Sequence, residues 1–142
     1  MTTSNSDFEL CNNVWKEITS KYSKTSSATD FSEFERIVVL VWTVTGIIEN
    51  GGFQYLFESE LPGDNDLSLT IAAFGCIGCD AAKAVIEEVL SSLEFAGSSK
   101  DTYFKRYMKL SLEDRKGFDS RFWSEIDIIN TFLAIYIRSN KA

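Results

Sequence analysis

A chain of 142 residues with 44% hydrophobic and 13% aromatic content can bury one core, which excludes general disorder and any dependence on staples. No histidine occurs, so Ser-His and Cys-His nucleophile pairs and imidazole metal sites are excluded, and three cysteines cannot furnish the common structural zinc sets. The net charge of −7 is uneven: residues 1–48 carry six acids and four bases (−2), residues 49–94 nine acids and only Lys83 (−8), and residues 95–142 six acids and nine bases (+3). Such a balance argues against direct nucleic-acid or anionic-membrane binding and favours basic partners, although a solvated acidic surface that serves solubility is the plainer reading of the same charges.

The polar stretch Met1 to Ser6 lacks the basic-then-apolar pattern of a secretion signal, which points to the cytoplasm, and it reads as a disordered tail before a single domain over 7–142. From Asp7 to Tyr22 the apolar residues Phe8, Leu10, Cys11, Val14, Trp15, Ile18 and Tyr22 keep helical spacing, with Asp7 as cap. A polar loop follows, and Asp30 with Glu33 has the form of a capping box. Phe34, Ile37, Val38, Val41, Trp42, Thr45 and Ile48 continue with helical spacing. The β-branched content of that run favours a strand, but the span from the cap at Asp30 to Glu49, with no turn former until Gly46, is too long for one, so a buried helix is expected. Its apolar run, Ile37 to Ile48, is too short for a membrane span.

The stretch "IIENGGFQYLF", Ile47 to Phe57, reads either as a hairpin around Asn-Gly or as a helix end, a Gly-Gly stop and an aromatic restart. The length of the preceding helix decides for the stop, with a short helix from Phe53 to Ser59. "ELPGDND" is a turn in which Asp64 or Asp66 caps the next helix. Leu67 to Leu93 holds two helices broken near Cys76 to Asp80. "TYFKRYMKL" is a short helix, Ser111 with Asp114 is a second capping-box candidate, and a last helix runs from Ser124 to Ser139. The expected fold is therefore all-α: one compact domain of six to eight helices in an orthogonal or irregular bundle.

Each candidate site has a plain alternative. "CIGC", Cys76 to Cys79, has the spacing of a redox pair but lies in an apolar helical pattern, where cysteine acts as a small hydrophobe. Glu49-Asn50-Gly51-Gly52 suggests a phosphate loop, yet no base lies between Arg36 and Lys83. Glu58, Glu60, Asp64 and Asp66 could hold a hard cation, but "ESELPGDND" lacks the calcium-loop pattern, and an exposed turn with helix caps fits better. Tyr103 to Lys109 interleaves aromatic with basic residues, which suits an amphipathic helix as well as a nucleic-acid contact. No cofactor or metal is implied.

At Asn50-Gly51-Gly52-Phe53, followed by Gln54, Tyr55 and Phe57, the chain resembles a bacterial domain-of-unknown-function family whose named member is a DNA-mimic protein. "FGCIGCDAAKAV", Phe74 to Val85, and "IINTFLAIYIRSN", Ile128 to Asn140, extend the resemblance, which covers about Phe31 to Asn140. The chain departs from the pattern at Gln54, one place early, and at Ser59, where the family often has Asn. The resemblance implies an all-helical fold and a protein partner that normally binds DNA. A mimic of this kind presents carboxylates on a rigid face to a basic groove.

The expectation is a non-enzymatic, cytoplasmic module that binds a basic protein through Glu58, Glu60, Asp64, Asp66, Glu87 and Glu88, without direct nucleic-acid or membrane contact; a homodimer is compatible with it. The rival is a small-ligand protein or enzyme with a pocket at Asn50 to Tyr55, and an immunity or accessory protein with one cognate partner is a third reading. Asn50, Gly51, Gly52, Phe53, Gln54, Tyr55 and Phe57 are expected to serve mainly structure.

Overall fold

The computed structural model describes residues 5–23 and 26–140. Seven helices follow in chain order: α1 Asn5–Thr19, α2 Glu33–Glu58, α3 Ser68–Cys76, α4 Asp80–Leu93, α5 Tyr103–Met108, α6 Leu112–Trp123 and α7 Ile126–Asn140. A 3₁₀ turn, Ala28–Asp30, precedes α2, and no strand occurs among the described residues. The all-α fold expected from periodicity is the fold observed. Residues 1–4 of the expected tail lie outside the described residues, while Asn5 and Ser6 belong to α1.

α2 is the axis of the domain, and α1, α3, α5, α6 and α7 all pack on it. Its apolar residues cover most of its circumference, so Ile37, Val38, Leu40, Val41, Val44 and Ile48 are all buried. That is the arrangement of a central core helix rather than a surface one. α2 is long and apolar enough to cross a membrane by composition, and half of its most apolar stretch is buried inside the domain. α1 contributes Cys11, Val14 and Ile18, α4 Val85, Ile86, Val89 and Leu93, and α7 Ile129, Leu133, Ala134 and Ile137 to the same core.

Helix starts follow the capping chemistry, with one shift from the sequence expectation. Asp30 and Glu33 do not form a box together. Ser27 and Asp30 cap the 3₁₀ turn reciprocally, and Ser32 and Glu35 do the same for α2. The extra turn takes Asp30 as its own third residue, which moves the start of α2 two residues on. Ser111 caps α6 by accepting from the Asp114 N–H at 3.0 Å, one half of the expected capping box. Asp7 lies inside the first turn of α1 and not at its cap, and it pairs with Arg138 of α7 at 2.9 Å. The break expected near Cys76 to Asp80 separates α3 from α4, and α7 falls within two residues of its expected bounds.

Candidate functional site

The Asn-Gly-Gly-Phe stretch lies within α2, and the helix continues on both sides of a single break. Gly52 has φ 70° and ψ −169°, a conformation essentially reserved for glycine. That ψ turns the next peptide, so the Phe53 N–H leaves the helical ladder and donates to Asp119 Oδ1 of α6 at 2.9 Å. One turn further along α6, the Trp123 indole N–H donates to the Ile48 carbonyl at 2.7 Å. Asp119 and Trp123, four residues apart on one helix face, therefore clamp the two sides of the break. The carboxylate acts as a remote N-cap for the half-helix Phe53 to Glu58, where the helix dipole favours a negative charge.

The two glycines are needed for different reasons. The Tyr55 ring lies over Gly51, where a Cβ would overlap it, and the Asp119 carboxylate lies against Gly52 in the same way. Phe53 is fully buried and meets Phe122 of α6 edge-on at 5.8 Å, which fixes α6 where its clamp residues reach α2. Burial raises the Asp119 carboxyl above the ordinary range, opposed by the Phe53 N–H. The neighbouring Tyr107 phenol is pushed up by its own burial and then by the Asp119 charge, the carboxylate that its buried hydroxyl faces.

The polar side chains of the motif are used locally. Asn50 Nδ2 donates to the Gly46 carbonyl at 2.9 Å, and Gln54 Nε2 donates to Glu58 Oε1 at 3.0 Å. Both are helix-surface contacts four residues apart.

The six carboxylates singled out from the sequence separate into different environments. Asp64 is 1% exposed and accepts from the Leu69 N–H (2.7 Å), the Thr70 N–H (2.9 Å) and the Thr70 hydroxyl (2.5 Å), so it is the buried cap of α3 and presents nothing to solvent. Those three donors also fill the sites a cation would need. Asp66 is exposed and accepts from the Ser68 N–H at 3.0 Å, a bond that holds its carboxyl below the ordinary range. Glu58, at the end of α2, and Glu60, just beyond it, are exposed, as are Glu87 and Glu88 on α4. Glu88 is paired with Arg121 of α6, while Glu60 and Glu87 make no ion pair among the described residues.

α4 supplies two further acids that the sequence reading left out. Asp80, Glu87 and Glu94 recur every seven residues and are all exposed, with Ala84 and Ser91 exposed between them. A seven-residue repeat is two helical turns, so these carboxylates form a row on one face at a rise of about 10 Å each. The opposite face of α4, through Val85, Ile86, Val89 and Leu93, is in the core and holds the row rigid. Exposed Phe95 ends the row at 90% accessibility.

The other candidates resolve into structure. Cys76 is exposed and Cys79 buried, and burial pushes the Cys79 thiol up to about 12, in keeping with its place among the core residues. In the basic-aromatic helix α5, Tyr107 is buried and Arg106 donates to the Leu93 and Asp101 carbonyls, closing the end of α4.

A family model described as DMP19-like protein matches residues 29–140. No match is found among curated proteins or among solved structures.

Proposed function

The chain belongs to the DMP19-like protein family, and from that premise we propose that it is a non-enzymatic, cytoplasmic interaction module that binds a basic, DNA-binding protein through its acidic surface. The observation that carries the reading is the row Asp80, Glu87 and Glu94 on a helix whose other face is core. Carboxylates on a helix whose backbone is already ordered keep their Cα spacing, so docking costs only side-chain freedom, which suits a surface standing in for a phosphate backbone. Glu58, Glu60 and Asp66 add charge at the end of α2 and in the turn that follows it, and Glu88 joins them when its Arg121 partner is displaced. Asp64 has no part in the surface.

A basic groove that releases counterions from DNA is drawn to such a face by the same electrostatics, so binding weakens as salt rises. The test is capture from a lysate of the source organism on the immobilised chain, at low and at high salt. The expected result is a basic protein held at low salt, released at high salt, and not held by the Asp80→Asn, Glu87→Gln, Glu94→Gln variant. Equal retention at both salts, or by the variant, overturns the reading.

A further inference from the structure

The C-terminal end of α1 and the first half of α2 enclose a groove of 430 Å³, closed on its third side by the turn after α2. Trp15, Tyr22, Phe31 and Leu61 line it, and Tyr22 and Phe31 meet edge-on at 4.5 Å. The polar atoms of these rings are already engaged. The Trp15 indole N–H donates to Thr43 Oγ1 at 3.0 Å and the Tyr22 hydroxyl donates to Glu35 at 2.6 Å. Those bonds fix the rings, so the walls present apolar faces and edges in a set geometry.

Among the described residues that line the groove, Glu60 is the charged one, while Glu35 lies behind the Tyr22 hydroxyl and is paired with Lys21. Glu60 is exposed, lines the groove and makes no ion pair among the described residues. Ring faces attract cations through their quadrupoles, and a carboxylate adds Coulomb attraction, while an apolar body displaces water from the rings. The volume lies within the range of small-molecule sites. We propose that this groove binds a small organic cation: a protonated amine carried on an aryl or short alkyl body, with the amine at Glu60 and the body between Trp15, Tyr22 and Phe31. An anion of the same shape is repelled by Glu60. Trp15 and Tyr22 precede the residues that match the family, so the groove is a feature of this chain that family membership does not supply. It shares Glu60 with the acidic-surface reading, but its test, small-molecule binding at the Trp15 indole, does not depend on that reading.

The test is NMR titration of the full ¹⁵N-labelled chain with three probes of one shape: 2-phenylethylammonium, 2-phenylethanol and 3-phenylpropanoate. Saturable shifts are expected at the Trp15 indole N–H, identified with Trp15→Phe, and at the Thr43 and Leu61 amides. For a fragment of this size the dissociation constant should be on the order of a millimolar. The cation should bind about threefold to tenfold tighter than the alcohol, with the carboxylate weakest. Glu60→Gln should bring the cation to the affinity of the alcohol and leave the alcohol unchanged. The proposal is overturned by shifts that do not saturate, by shifts centred away from Trp15, or by equal binding of cation and alcohol to the wild type. Shifts at the same residues on raising protein concentration without a probe would place a second copy in the groove, and would also overturn it.

Discussion

Replacing Gly52 by Ala should be the most damaging single methyl addition in α2, and the same change at Gly46 should stabilise the protein. At Gly52 two costs add. A side chain at φ 70°, ψ −169° carries backbone strain of about 1–3 kcal/mol. The new Cβ would also overlap the Asp119 carboxylate, displacing the cap of the Phe53 N–H at a further cost of about 0.5–2 kcal/mol. The sum, roughly 1.5–5 kcal/mol, is a large part of the 5–15 kcal/mol that holds a typical domain. Gly46 lies within the same helix and a Cβ there would meet nothing within 4 Å, so Gly46→Ala recovers helix propensity worth about 0.5–1 kcal/mol. Urea unfolding followed by far-ultraviolet circular dichroism measures both against the wild type. A loss under about 1 kcal/mol at Gly52, or an equal loss at the two positions, would refute the clamp as the reason for the second glycine.

Asp119→Asn keeps an oxygen for the Phe53 N–H and removes a partly desolvated charge, so it should cost under about 1 kcal/mol, while Asp119→Ala should cost about 1–3 kcal/mol; equal losses in urea unfolding would contradict the capping role. Asp64→Ala strands the Leu69 and Thr70 donors and should cost about 2–4 kcal/mol by thermal unfolding, whereas a surface carboxylate at that position would be removed within about 0.5 kcal/mol. Glu35 is held down to about 2 by the Tyr22 hydroxyl first, then by the Ser32 N–H and Lys21, against an ordinary value of 4.5. Because its folded pKa is depressed, its contribution to stability is present above about 4.5 and lost as pH falls through about 2. Asp66 and Asp101, also lowered, act in the same sense, while burial of Asp119 acts in the opposite one. Thermal midpoints from pH 5 to pH 2 should fall less steeply in Tyr22→Phe than in the wild type; parallel curves would show that the phenol does not carry the shift.

The fold was legible in the sequence where periodicity and length agreed. The β-branched run of α2 has strand propensity, but its span from the cap to the glycines left only a helix, and the burial of Ile37, Val38, Val41, Val44 and Ile48 in the core outweighs that propensity. Gly52 was legible as a break because a glycine pair interrupts a helical pattern. Asp119 and Trp123, the residues that make the break intact, were not. They lie 66 and 75 residues from their partners, and no local pattern announces a remote cap. Asp64 shows the reverse limit. Its place in an acidic run suggested a surface carboxylate, while its second reading, as a cap for the next helix, was the one the fold uses. Asp80 and Glu94 could have been found from their seven-residue spacing with Glu87, a signal that becomes visible only once α4 is taken as a helix with its apolar face inward. The ring-lined groove had no sequence signature, since Trp15 and Tyr22 read simply as members of a helical stripe and Glu60 as part of an acidic run.

The central claim is that this chain occupies the surface of a basic partner that DNA would otherwise occupy. The most direct measurement is competition: the captured partner is held on the immobilised chain at low salt and challenged with increasing duplex DNA of random sequence. The account predicts that DNA displaces the partner completely and that the dissociation constant rises with salt, with a shallower slope for the Asp80→Asn, Glu87→Gln, Glu94→Gln variant. A ternary assembly in which the partner holds both DNA and this chain would contradict it.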